Sequence, residues 1–146
     1  MRFPSPPPAA PEGPLAGLDP GRSKCGLVRT DVSRHQILEA CVLPPEACLE
    51  RLLEWRRLGL ITALVMGDGT GSQAWHSKLA GVLPVHATAE WGTTLEARRR
   101  YWEIEPPRGW RSVLPEGLRQ PPRDWDDIVA QLLLERWVGH PLTRRP

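Results

Sequence analysis

A mixed β-sheet flanked by helices is the fold class this sequence predicts, and three patterns predict it. Three short apolar runs fall within the first 43 residues, separated by turn residues. Helical and strand periods then alternate. A continuous apolar run at 61–66 has the composition of a buried strand. The implied order is β-β-β-α-β-α-β-α-α, a five-stranded sheet that opens with a three-strand hairpin unit and continues by α/β alternation.

Residues 15–18 form a short apolar run that stops at Asp19-Pro20-Gly21, so a strand ends there in a turn. A second strand spans 25–28 and a third 37–43. Pro44-Pro45 opens a helix, where proline is tolerated because its missing N–H would have no partner anyway. Leu49, Leu52, Leu53 and Leu58 mark its apolar face. The strand at 61–66 runs into Gly-Asp-Gly-Thr-Gly-Ser. A short helix at 73–80 and a fifth strand at 83–87 follow. Thr93-Thr94-Leu95-Glu96 has the form of a capping box, and its helix runs to about Trp102. Residues 105–122, rich in proline, glycine and arginine, read as a long loop. Asp124 caps a last helix to about Val138, with Pro141 just beyond. Residues 1–13 are expected to be a disordered proline-rich tail. Residues 14–140 form the domain, and 141–146 a short C-terminal tail.

A length of 146 residues suits one domain, and a net charge of +2 neither demands nor excludes a nucleic-acid partner. The three cysteines include no Cys-x-x-Cys, and the four histidines have no metal-ligand spacing, which argues against a disulfide framework or a zinc knuckle. No apolar run approaches the roughly 18 residues of a membrane span. A cytoplasmic setting is the simplest expectation.

Asp19, Glu90 and Asp126 stand at the ends of predicted elements, where α/β sheets usually bind ligands. Gathered carboxylates repel one another unless a cation joins them, and Mg²⁺ or Mn²⁺ suits oxygen ligands. Two such ions activate water and stabilise the leaving oxygen of a phosphodiester. Helical phase separates Asp126 from its neighbour. Val129, Ala130, Leu133 and Trp137 follow Asp126 along one apolar face, directing it toward the sheet, whereas Asp127 has a mixed face and the spacing of a capping partner to Asp124. Singly, Asp19-Pro-Gly is turn chemistry and Glu90 a solvated loop acid; the set of three carries the inference. Asp68 and Asp127 are secondary metal candidates. Asp68 ends the fourth strand, but Gly67-Asp68-Gly69 is also simply a tight turn.

These residues resemble a known family. Gly17-Leu18-Asp19-Pro20-Gly21-Arg22 with Cys25-Gly26-Leu27 resembles the opening hairpin of the YqgF nucleases, RNase H-like relatives of Holliday-junction resolvases proposed to mature the 5′ end of pre-16S rRNA. The segment from Ala89 to Arg98 resembles the family's Asp-Glu-Arg-x-Thr-Thr-x-Glu-Ala-Arg, and Trp125-Asp126-Asp127-Ile128-Val129-Ala130 its last motif. The resemblance covers about residues 15–139 and marks a divergent branch. It implies an RNase H-like fold, metal binding by Asp19, Glu90 and Asp126, and phosphodiester hydrolysis on RNA or branched DNA. Two departures, Ala89 for Asp and Trp91 for Arg, open the alternative of a member that binds nucleic acid without cutting.

Arg22 and Lys24 flank Asp19. Arg98, Arg99 and Arg100 line the following helix, and the loop adds Arg108, Arg111, Arg119 and Arg123. Such groups seat phosphates beside acids that would otherwise repel them; the competing role for the helix run is a solvated face paired with Glu96 and Glu103. Trp110, set among arginines, suits base stacking, while Trp102 and Trp137 are expected in the core. A resolvase that cuts two strands symmetrically would work as a homodimer. A third reading, a small-molecule enzyme holding phosphate on the glycine-rich 67–72 segment, ranks below these.

Overall fold

The computed structural model describes residues 12–69 and 71–144. Most of the expected amino-terminal tail (residues 1–11) lies outside them.

Leu15, Ala16 and Leu18 are wholly buried because β1 (Leu15–Asp19) is central in the sheet. It pairs antiparallel with β2 (Cys25–Thr30), which pairs antiparallel with β3 (Gln36–Leu43). On its other side β1 pairs parallel with β4 (Ala63–Gly67), and β4 with β5 (Val85–Thr88). A sixth strand, β6 (Thr143–Arg144), joins β3 in parallel, so the order is β5-β4-β1-β2-β3-β6. A three-strand antiparallel meander extended by parallel strands on the β1 side is the helix-flanked mixed sheet that the sequence pattern implied. The sixth strand corrects the expected count of five. It also shows that part of the expected 141–146 tail is structured.

The helices are α1 (Pro45–Arg57), α2 (Ser72–Leu79), α3 (Thr93–Ile104) and α4 (Asp126–Val138). Strand alternation sends successive side chains to opposite faces. Ala16, Leu18, Cys25, Leu27, Leu64 and Met66 meet α1 and α2 in one core. Leu15, Val28, Ala63 and Val65 meet α4 in the other. α3 packs outside α4 through Ala97, Tyr101 and Trp102 against Ile128, Val129, Leu132 and Leu133. Asp19 shares parity with Leu15 and Gly17, so the sheet delivers it to the α4 face. The loop between α3 and α4 holds two short 3₁₀ turns (Gly109–Val113, Glu116–Leu118).

Several local expectations change. α1 buries Cys48, Leu52 and Trp55, whereas Leu53 and Leu58 are exposed: the heavy ring at Trp55 takes the inward stripe. The capping box does not form. Gly92, in the left-handed region at φ 75°, is the cap of α3, and the Thr93 hydroxyl instead donates to the Glu90 carbonyl at 2.6 Å. Glu96 pairs with Arg136 at 3.5 Å. α4 begins at Asp126, and Asp124 gives its carboxylate to Lys24 rather than to a cap.

Gly26 fixes how closely α4 approaches. A Cβ there would collide with the carbonyl of Asp126 and the amide of Asp127. Backbone cannot yield as a flexible side chain does, so Gly26→Ala should push the start of α4 off the sheet. We expect a loss of roughly 1–3 kcal/mol, read as a lower urea midpoint at unchanged slope. A neutral result would mean that this contact is not tight in solution.

Candidate metal centre

Three elements bring Asp19, Glu90 and Asp126 together. Asp19 ends β1 and Asp126 opens α4, with about a quarter of its side chain exposed. Glu90 follows β5, and its carboxylate lies across Gly67 and Gly69, in space that a side chain at either glycine would fill. The glycines that end β4 therefore act as a floor for Glu90.

The electrostatics record the convergence. The Asp19 carboxyl is pushed up from 3.8 to about 7, first by burial, then by the charges of Asp126 and Glu90, with a smaller part from Cys25. Lys24 partly offsets this crowding: its ammonium lies 2.6 Å from Asp124 and 3.7 Å from Asp126. A cavity of 250 Å³ opens among Asp19, Lys24, Thr94, Asp124 and Asp126. A second, of 520 Å³, has Glu90 on its rim and is lined by Pro20, Arg22, Trp75 and Lys78.

Among the described residues, no three His, Cys, Asp or Glu side chains close up as a preformed metal cage. The donor set still fits a hard divalent cation. It offers only carboxylate oxygens, and it holds negative charge that burial makes costly without a cation.

The other predicted site residues fall elsewhere. Asp68 is exposed, and its amide extends the β4–β5 ladder by donating to the Thr88 carbonyl at 3.0 Å. Asp127, expected as a solvated cap, is buried between Arg123 and Arg144, each 2.9 Å away. Helix α4 is enclosed on nearly every side, so the residue after Asp126 also turns inward. Four predicted phosphate binders are instead clips for the 105–125 loop. Arg98 donates to the carbonyls of Gly117 and Arg119, Arg111 to that of Gln120, and Arg119 to those of Arg111 and Leu114. Arg123 forks onto Glu105 and Asp127. Loop carbonyls without a ladder partner need donors, and guanidinium supplies them. Arg100, likewise, pairs with Glu135 and Glu103. Arg99 lines a shallow cavity beside Leu95 and Glu116. Trp110 is exposed and covered on one face by Arg111, 4.6 Å from its ring centre. Trp102 and Trp137 lie in the core as expected.

Sequence reasoning missed Lys78, Trp75 and Thr94. Lys78 sits over the Trp75 ring at 5.3 Å and belongs to no motif. The only available signal was a basic residue in the last turn of α2. Among the described residues, no helix is long and apolar enough to cross a membrane.

No protein-family model matches this sequence, and no curated protein matches it. Among solved structures, the chain is similar to Thermus thermophilus RuvC in complex with a Holliday junction substrate, at 18% identity and a TM-score of 0.49, covering 90% of this chain and 100% of that one. It is also similar to a second Thermus thermophilus RuvC structure, at 16% identity and a TM-score of 0.47, covering 83% of this chain and 90% of that one.

Proposed function

We propose that this protein is a divalent-metal-dependent nuclease acting on RNA or branched DNA. The observation that carries the reading is the convergence of Asp19, Glu90 and Asp126 on one end of the sheet, where burial first, and then the charges of Asp126 and Glu90, raise the Asp19 carboxyl to about 7. Asp19, Glu90 and Asp126 would hold Mg²⁺ or Mn²⁺. The ion, when bound, would supply an activated water and charge stabilisation at a phosphodiester. The chain's own residues position the substrate. Arg22 and Lys78 line the 520 Å³ cavity beside Glu90 and meet backbone phosphates there, against the Trp75 wall. Thr94 and Lys24 line the smaller cavity with Asp19 and Asp126, so each cavity offers a strand a basic group beside an acid.

A second reading, a nucleic-acid binder that does not cut, is favoured by one observation. Beside Glu90, the exposed Trp91 ring lies under Arg136 at 5.5 Å, while the same arginine donates to the Ala89 carbonyl at 2.8 Å. Glu90 is thus flanked by structural contacts rather than by further acids and bases.

A cleavage panel separates the two. Single strands, four-way junctions and an rRNA precursor are incubated with Mg²⁺ or Mn²⁺, with binding followed by fluorescence polarisation in EDTA. Cutting by wild type and not by Asp19→Asn, with binding retained, supports the nuclease. Binding without cutting under every condition selects the second reading. For either reading, Lys78→Ala should weaken binding roughly 3- to 10-fold and reduce the salt slope by about 1. An unchanged salt slope would remove Lys78 from the phosphate path.

A further inference from the structure

The loop between α3 and α4 encloses a cleft of 430 Å³ that the metal centre does not use. Its walls are Tyr101, Trp102, Pro106, Pro107, Arg108 and Pro122. A cleft of this size suits a small ligand rather than a duplex, whose bases are covered on both faces.

The cleft is built rather than loose. Arg123 forks onto Glu105 at 2.9–3.3 Å and lies over the Tyr101 ring at 5.3 Å, neutralising the acid on the wall. Arg119 ties the two 3₁₀ turns together and sits over Trp102 at 5.7 Å. Two features remain unmatched. Arg108 is exposed, with no hydrogen bond or ion pair among the described residues. The indole N–H of Trp102 is buried there without an acceptor. The apolar proline walls Pro106, Pro107 and Pro122, a spare guanidinium and a donor lacking an acceptor match an unstacked nucleotide: a planar base that carries acceptors, joined to a phosphate.

Position supports the same occupant. Pro122 lines this cleft, while Asp124 and Asp126 line the cavity at Asp19. Four residues span at most about 14 Å, so the cleft lies within a few nucleotides of the acids along a strand.

We infer that this cleft captures an unpaired nucleotide flanking the cut, so that the substrate is a nucleic acid with a single-stranded segment beside the scissile bond. The inference rests on the nucleic-acid reading above and names its substrate class.

The test uses the full-length Asp19→Asn protein in EDTA, so that nothing is cut. Two duplexes are compared by fluorescence polarisation, one blunt and one with a short unpaired tail. The tail should raise affinity at least about fivefold, the order expected for one base held in a protein site, and Arg108→Ala should remove that gain. Adenosine monophosphate should also move the Trp102 indole N–H signal in a ¹⁵N spectrum, assigned by its absence in Trp102→Phe. Equal affinity for the two duplexes overturns the inference whether or not Trp102→Phe folds. So does an indole signal that moves with a proline-rich peptide but not with the nucleotide. The two readings fail separately: wild-type cutting without a tail preference removes the cleft alone, and a tail preference without cutting removes the nuclease alone.

Discussion

Asp19→Asn is expected to abolish metal-dependent cleavage and, at the same time, to make the metal-free protein more stable above neutral pH. In the fold this carboxyl titrates at about 7, against 3.8 without the burial and charges around it. Between those values the folded chain keeps a proton that the unfolded chain has released. Stability is therefore fully present below the lower value and falls as pH rises through the upper one, with an upper bound of about 4 kcal/mol. Partial solvent access at Asp19 screens part of this, and roughly 1–3 kcal/mol is the expected cost at pH 8. Asparagine does not ionise. Thermal melts in EDTA should coincide for the two proteins below about pH 4, diverge as the pH rises, and show the variant melting several degrees higher at pH 8. Mn²⁺ should raise the wild-type melting temperature at pH 8 and leave the variant unmoved. Activity should drop at least roughly 100- to 1,000-fold, the range for losing one preorganised charge at a reacting centre. A variant less stable than wild type at pH 8 would mean that the three acids do not crowd one another.

The second large effect is on stability alone. Glu135 is almost completely buried on α4. It accepts from both amines of Arg100 at 2.6 and 3.1 Å, from Gln131 at 3.1 Å and from the Leu142 amide at 2.9 Å. Alanine there leaves the Leu142 N–H without an acceptor in a dry region, and reduces Arg100 to its exposed partner Glu103 and Gln131 to the Leu142 carbonyl. Breaking one side of such a pair costs roughly 3–5 kcal/mol, or about 10–15 °C for a chain of this size. Glu135→Gln keeps the shape and one acceptor, and should lose about half as much. Hydrogen exchange at Leu142 and Thr143 should speed up first, because the same carboxylate holds the chain leading into β6. A loss below about 1 kcal/mol would show that the pair barely offsets its own desolvation.

Glu135 also shows where sequence reading stops. The sheet, the hairpin turn at Asp19-Pro20-Gly21 and the run Val129, Ala130, Leu133, Trp137 were legible, because each follows a period set by backbone geometry. Gln131 and Glu135 look like a solvated stripe in that pattern. They are buried because α4 lies between the sheet and α3, and Leu142 and Arg144 cover its remaining side. A helix enclosed this way must bury polar residues in pairs, and no single-helix period reports the partner. Asp127 was misplaced for the same reason. β6 is two residues long, too short for any alternation to show. The acids of the candidate centre were legible as element ends. The arginines were not: their number suggested a basic surface, whereas Arg98, Arg111 and Arg119 hold loop carbonyls that only the folded path of the chain places within reach.

Strand order has a consequence for the timing of synthesis. The β1–β3 meander can pair as soon as its own residues emerge, because the pairings among its three strands are local. Asp19 is then already in place at the end of β1. Its partners are not, since Glu90 follows β5 and Asp126 opens the last helix. A nascent chain that stops before α4 lacks Asp126 and the helix that covers Asp19, and one that stops before β5 lacks Glu90 as well. If the centre cuts nucleic acid, it does so only once the whole domain is made, which keeps an incomplete chain harmless beside the ribosomal RNA that is making it.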